Sequence, residues 1–373
     1  MFELYQIKDY PSDSFARYSR RKAYARIGRK IKTIAVYKSS GALGDFIQSI
    51  PLFRNFKRMF PEAKIYYLGS FQKKHCETIF QNIPYADGFI EYYRPGGGWS
   101  FKQYRSFFKK HYRKFDLIVD TQGKFVPTFY LWLLNPKYFL SLNWFFSHWI
   151  FVLDSKIKVH VVAKMNFLAR ILGLEDVSFN PVIDIKQMYL SPAQDYLKRF
   201  QGPFIALIPG AGHPYKMWPK QMFAQLGDRC VEMGFSPILV GAHVEKELLL
   251  EVAALMRNKP IIPVADDPRF GQDPVYSIGL FKSSFLTIGN DCGGLHLATL
   301  SGCRVVGIYG PTSAEKSGPL GDNNIIFYRG LDCSPCKWFR QQCQSDRRCL
   351  RDISVDEVAS AVQHLMRKFL RSG

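Results

Sequence analysis

The residues best suited to chemistry crowd into Thr287 to Thr312, TIGNDCGGLHLATLSGCRVVGIYGPT. An apolar run (Phe285, Leu286, Ile288) stops at Asn290-Asp291. A Cys292-Gly293-Gly294 turn follows, and a helix-like segment then carries His296. A second apolar run, Val305 to Tyr309, ends in Gly310-Pro311-Thr312. Gly293 and Gly294 let the main chain come close to a ligand, and the helix start presents free N–H groups and partial positive charge suited to phosphate. An acid, two glycines and a histidine one turn on therefore suit a nucleotide diphosphate.

Further polar groups stand at the ends of other apolar runs. Lys216 lies in the loop Pro209-Gly210-Ala211-Gly212-His213-Pro214-Tyr215 onward, after Phe204 to Ile208, where its ammonium can meet a phosphate. Glu245 follows Pro237 to Val240 and Gly241, placed to accept from two ribose hydroxyls. His296 and the N–H groups after Gly293 would meet the diphosphate and, were it to leave, stabilise the charge growing on it. Near the N-terminus, Ile31 to Tyr37 runs into Ser39-Ser40-Gly41-Ala42-Leu43-Gly44-Asp45 and then a helical pattern. The third glycine of the dinucleotide fingerprint is missing there, and Asp45 sits where phosphate would prefer no acid. Asp45 is expected to be a general base, with a helix N-cap as the alternative. The plain alternatives elsewhere are a surface lysine at 216, a solvated helix-start acid at 245, a helix cap at 291 and a structural histidine at 296. No Asp-x-Asp pair occurs, so a metal-bridged diphosphate is unsupported.

The elements that must position these groups read as strand–turn–helix units of parallel sheets, whose ligands bind beyond the carboxyl ends of the strands. Further strands are expected at Ala63 to Leu68, Leu117 to Val119 and Ile261 to Val264. A helix is expected over Gln103 to Lys114, a loop over Arg94 to Trp99, and a final helix behind the capping box Ser354-Val355-Asp356-Glu357. At 373 residues the chain suits two domains, so two α/β halves facing a cleft are expected: residues 31–188 and 189–373, preceded by a basic arm, 1–30. Ordinary apolar and charged content argues against wholesale disorder.

The formal net charge of +20 suits an anionic partner without choosing among nucleic acid, membrane and phosphorylated substrate. The arm, with Arg17, Arg20, Arg21, Lys22, Arg26, Arg29 and Lys30, reads as a solvated segment or as one resting on anionic headgroups. From Phe125 to Leu153 Lys137 is the sole charge and aromatics are dense. Pro136-Lys137 divides this stretch into pieces too short to span a bilayer, which leaves core packing or an interfacial surface. No secretory signal is visible, and the scattered Cys76, Cys230, Cys292 and Cys303 read as reduced thiols.

Taken together the motifs resemble glycosyltransferase family 9, the ADP-heptose:lipopolysaccharide heptosyltransferases. The likeness rests on Gly44-Asp45 with Pro51, Pro209-Gly210-Ala211 with Lys216-x-Trp218-Pro219, Gly241-x-x-x-Glu245, Asn290-Asp291-x-Gly293-x-x-His296-Leu297-Ala298 and Gly310-Pro311-Thr312. It runs from about residue 31 to 370. Cys292 and Gly294 depart from it, standing where Ser and Pro are usual. The resemblance implies the GT-B fold, two Rossmann-like domains with parallel sheets facing a central cleft, acceptor on the N-terminal one and sugar nucleotide on the C-terminal one. It implies an inverting, metal-independent transfer of a heptose from ADP-heptose to a hydroxyl of a lipopolysaccharide inner-core acceptor, with an ADP-sugar donor and an anionic lipid-linked glycan as partners. The setting would be the cytoplasm, peripheral to the inner face of the cytoplasmic membrane. Asp45 would be the base, Lys216 would contact phosphates, Glu245 the ribose, and Gly44, Gly210, Asp291, Gly293, Gly294 and His296 would line the donor site.

Cys333-x-x-Cys336, Cys343 and Cys349 have metal-like number and, in the first pair, zinc-like spacing. A similar cluster occurs in some members of the family. A structural zinc or iron, unbound thiols and disulfides are the alternatives, at a place expected to lie away from the transfer motifs. No cofactor is expected in catalysis. Another sugar nucleotide or a protein acceptor is the near alternative in function. A basic nucleic-acid-binding protein with a Cys knuckle is the distant one, weakened because the basic residues are spread and no RNA-binding motif stands out.

Overall fold

The computed structural model describes residues 16–18, 31–38, 42–69, 73–92, 100–143, 145–148, 151–153, 159–321, 323–336, 343 and 345–369. The expected loop at 94–99, Ser39 to Gly41, and most of the basic arm lie outside them. The described residues divide into two compact units, one from 16–73 and 83–180, the other from 74–82 and 181–369.

In the first unit, β1 (Thr33–Tyr37), β2 (Lys64–Gly69), β3 (Gly88–Glu91), β4 (Leu117–Asp120) and β5 (Tyr138–Ser141) form a parallel sheet in the order β3-β2-β1-β4-β5. Ile34, Ala35 and Val36 are fully buried, as the continuous apolar runs of parallel strands require when helices cover both faces. The covering helices include α1 (Leu43–Met59), α2 (Phe101–His111), α3 (Phe125–Trp132) and α4 (Val161–Ile171). Ser100 and Gln103 cap α2 reciprocally, which starts it two residues before the position the apolar pattern suggests. Among its described residues the 125–153 stretch contains no helix long enough to span a bilayer. It supplies α3, the edge strand β5, and a short strand Phe151–Leu153 paired with Ala16–Tyr18.

In the second unit, β6 (Phe204–Ile208), β7 (Ser236–Leu239), β8 (Ser284–Asn290), β9 (Val305–Tyr309) and β10 (Ile325–Tyr328) form a parallel sheet in the order β10-β9-β8-β6-β7. Helices α5 (Lys220–Glu232), α6 (Gly293–Leu300) and α7 (Val355–Phe369) belong to it, α7 behind the expected Ser354–Glu357 box. The expected strand Ile261–Val264 is replaced by a single bridge from Ile261 to Ile238 and a helical turn Pro263–Asp266. Proline lacks the N–H a ladder needs and suits the first turn of a helix. Both strand orders are those of doubly wound sheets, in which the order of strand addition reverses between β1 and β4 and between β6 and β8. Ligands favour the carboxyl side of such reversals.

A buried amide clamp fastens α1 to α4. Asn55 Nδ2 donates to Asn166 Oδ1 (2.6 Å) and to the Ser178 carbonyl (2.8 Å), and Asn55 Oδ1 accepts from Ser178 N–H (3.0 Å). Asn55→Ala leaves these groups without their partners, and a loss of about 2–3 kcal/mol is expected as a lower urea midpoint. An unchanged midpoint would show that the clamp contributes nothing net.

Candidate active site

Four strand ends of the second unit meet at one edge. Beyond β6, Pro209-Gly210 leads to a 3-10 turn, Pro214–Lys216, with His213 stacked on Tyr215. Beyond β7 a second 3-10 turn, His243–Glu245, opens. Beyond β8 come Asp291, Cys292 and the start of α6, and beyond β9 the Gly310-Pro311-Thr312 corner.

Polar bonds between these loops hold the expected site residues together. Lys216 Nζ lies 2.7 Å from Asp291 Oδ2, which also accepts from Thr312 Oγ1 at 2.7 Å. Asp291 is buried and Lys216 half-buried, so the pair is a charge-assisted bond in reduced dielectric. An ammonium has three donors, and Asp291 aims the others by holding one. Asp291 is therefore not the helix cap; Cys292 holds the N-cap position of α6. Burial pushes the Cys292 thiol up to about 12, with Glu245 and Asp291 adding to it, so it stays a neutral thiol. Tyr309 below is held protonated by burial and by the neighbouring Asp291.

Glu245 Oε2 accepts from the Ala242 N–H at 2.8 Å, and its carboxylate lies directly over Gly210. A Cβ added at 210 would overlap that carboxylate, so glycine is what lets the β6 loop and Glu245 approach. Gly294 serves packing: a Cβ there would press on Ile208 Cδ1 at 3.2 Å. Gly293 opens α6, and His296 lies buried in its first turns.

Asn290, a motif residue given no role in the sequence reading, ties these loops. Its Nδ2 donates to the Pro209 carbonyl (2.8 Å), and its Oδ1 accepts from the Trp218 N–H (2.9 Å). The buried Trp218 indole in turn donates to the Ile353 carbonyl at 3.0 Å.

In the first unit, Asp45 is the third residue of α1, behind Ala42 at the N-cap, so the capping alternative fails. Gly44 precedes it within the same turn. Lys38, at the carboxyl end of β1, lies 3.4 Å from Asp45 Oδ1. Burial lowers the Lys38 pKa; Asp45 opposes this, while Lys124 and Lys164 add to it. The sequence reading gives Lys38 no role. A lysine closing an apolar run seven residues before an acid was the signal for it.

A sequence model described as Glycosyltransferase family 9 (heptosyltransferase) matches residues 104–347. The chain belongs to glycosyltransferase family 9. Among family relatives, lipooligosaccharide heptosyltransferase 2 of Campylobacter jejuni is 22% identical over 330 residues, 87% of this chain and 96% of the relative. A glycosyltransferase family 9 structure from Veillonella parvula superposes with TM-score 0.72 at 20% identity, covering 90% of this chain and 97% of that one. The ADP-heptose lps heptosyltransferase II of E. coli gives TM-score 0.69 at 18% identity, covering 91% and 99%. These solved structures share the two-sheet α/β fold expected of the family. Lys216, Glu245, Asp291 and His296 lie within the matched stretch, and Asp45 lies before it.

The late cysteines do not lie apart from this family 9 site, as their sequence position had suggested. β10 runs parallel to β9, so the loop after it returns to the same edge: Cys336 N–H donates to the Pro311 carbonyl at 2.7 Å. Cys333, Cys336, Cys343 and Cys349 line one small pocket with Tyr215 and Pro311. All four are free thiols. Among the described residues no group of three His, Cys, Asp or Glu is disposed to hold a metal. The Cys333 and Cys343 sulfurs approach the Ser345 hydroxyl, at 3.7 and 3.6 Å, and Cys349 is buried against Gly310. Burial pushes Cys349 up to about 11, with the other three thiols adding to it. Burial also acts to raise Cys343, but bonds from Ser345 and the Arg347 N–H outweigh it and lower that thiol.

Gly210→Ala is expected to displace Glu245 and raise the donor KM roughly tenfold, with kcat and thermal stability changing much less. Steady-state kinetics with varied donor checks this, and an unchanged KM would remove Glu245 from donor binding.

Proposed function

We propose that the chain transfers a heptose, with inversion, from ADP-heptose to a hydroxyl of a lipopolysaccharide inner-core acceptor. The observation that carries this reading is the Lys216–Asp291 pair at the β6/β8 reversal, set beside the Gly293 helix start and the Glu245 carboxylate. Such a site suits a nucleoside diphosphate. Asp45 takes the proton from the acceptor hydroxyl as that oxygen bonds to the anomeric carbon and the bond from carbon to the diphosphate oxygen breaks. The electron pair leaves with ADP. Lys216 and the N–H groups after Cys292 stabilise the charge that grows there, and Glu245 receives the ribose hydroxyls. Lys38 holds the Asp45 carboxylate in place. No step is routed through the cysteine pocket. The acceptor is an anionic lipid-linked glycan at the inner face of the cytoplasmic membrane. No helix among the described residues is long and apolar enough to cross one.

Incubation of the chain with ADP-heptose and a heptose-deficient inner core should add one heptose to the acceptor mass; no product with any such acceptor would refute the donor or the acceptor. Asp45→Ala is expected to cut kcat about a thousandfold with ADP affinity nearly intact by calorimetry. Lys216→Ala should lower kcat/KM by about a hundredfold and weaken ADP binding with it. Full turnover by the Asp45 variant would end its assignment as base. Lys38→Met should lower kcat about tenfold at unchanged donor KM, with Lys38→Arg recovering part of it.

A further inference from the structure

The outer face of α3 has no part in the transfer described above. Helical spacing puts Phe125, Val126, Phe129, Trp132 and Leu133 on one side, and all five are exposed, while Thr128 and Leu131 face the core. Phe145 extends this side: it is 68% exposed, and its ring meets Phe146, which in turn touches Phe125, Phe129 and Trp132. A water-facing helix side ordinarily carries charge, yet none occurs between Lys124 and Lys137. The helix is nevertheless firmly seated. The fully buried Asp120 accepts from Thr128 Oγ1 at 2.5 Å, from Ser141 Oγ at 2.7 Å and from the Gln122 N–H at 2.9 Å.

Charge supplies the second observation. α2 lies alongside α3, with Tyr104 and Phe108 both against Tyr130, and the Arg113 N–H donates to the Leu134 carbonyl at 2.8 Å. Between Ser100 and Lys114 stand six exposed basic residues (Lys102, Arg105, Lys109, Lys110, Arg113, Lys114) and no acid. Exposed aromatics beside an all-basic flank match an interface where rings sit among headgroups and cations meet lipid phosphate. Two copies of the chain meeting through this side would bring like charges together. Lys124, at the start of α3, acts electrostatically on Lys38, the partner of Asp45, so the aromatic helix begins close to the proposed base.

We infer that the exposed face of α3 with Phe145 docks on an anionic phospholipid bilayer, the aromatic rings at headgroup depth and the basic residues of α2 on the lipid phosphates. This deepens the reading of a lipid-linked acceptor and rests on it for its purpose.

The test is sedimentation of the full chain with vesicles of phosphatidylglycerol and phosphatidylethanolamine, and separately of phosphatidylcholine alone, all free of acceptor. Binding to the anionic vesicles is expected, falling in about 0.5 M salt. It should weaken about tenfold or more in the triple variant Phe129→Ser, Trp132→Ser, Phe145→Ser and in the pair Lys109→Glu, Lys110→Glu. Both variants should keep the wild-type rate on a lipid-free acceptor saccharide. Loss of that rate in the triple variant would mark misfolding, and Phe145→Ser alone, expected to weaken binding about threefold, then decides together with the charge pair. Unweakened binding by those two would overturn the inference. So would equal binding to phosphatidylcholine, binding only when the vesicles carry acceptor, or a dimer that the variants dissolve while vesicle binding persists. Vesicle binding is read without ADP-heptose and transfer without lipid, so failure of docking and failure of the heptose reading are separable.

Discussion

The amide of Asn290 spends its hydrogen bonds on the main chain of neighbouring loops, and the loop cluster at the carboxyl edge of the second sheet depends on that. One side of the amide holds the carbonyl at Pro209, the other the N–H at Trp218, so the two ends of the β6 loop are fixed to the end of β8. The loop between them carries Gly210 under Glu245 and Lys216 to Asp291. A buried amide with unmatched partners would be costly, so the bonds form together or not at all. The parallel sheet brings the strand ends to one edge; Asn290 sets the spacing of the loops there to the length of a hydrogen bond.

Much of this was legible in the sequence because strand, glycine turn and helix have distinct periods. β6 spans the residues its apolar run suggests, Asp291 directly follows β8, and Asp45 falls in the first turn of the helix after β1. What escaped was whatever lacks a period or acts across the fold. β5 hides inside a long aromatic stretch with no alternation to mark it, and Ile261 to Val264 read as a strand until Pro263 is weighed as a helix start. Lys38 carries no mark in the sequence beyond following an apolar run, and its pairing with Asp45 is visible only in the fold. The cysteines lie more than a hundred residues beyond Lys216, yet Tyr215 lines their pocket because β9 and β10 end at the same edge.

The two units use buried polar groups in a similar way. In the first, Asp120 gathers a threonine of α3, a serine of β5 and the Gln122 N–H of the turn after β4 around one carboxylate, and burial raises its pKa despite those bonds. In the second, Asn290 gathers loops around one amide. Each stands at the carboxyl end of a strand flanking the sheet's reversal, where apolar packing runs out and directional bonds must fix the geometry.

The contact between Gly210 and Glu245 has an evolutionary consequence. The carboxylate fills the volume that a methyl group at 210 would need, so the two positions cannot drift independently. A side chain gained at 210 would have to be met by a shift or a shortening of the acid at 245. The residue at 210 and the length of the side chain at 245 are thus inherited as a linked pair.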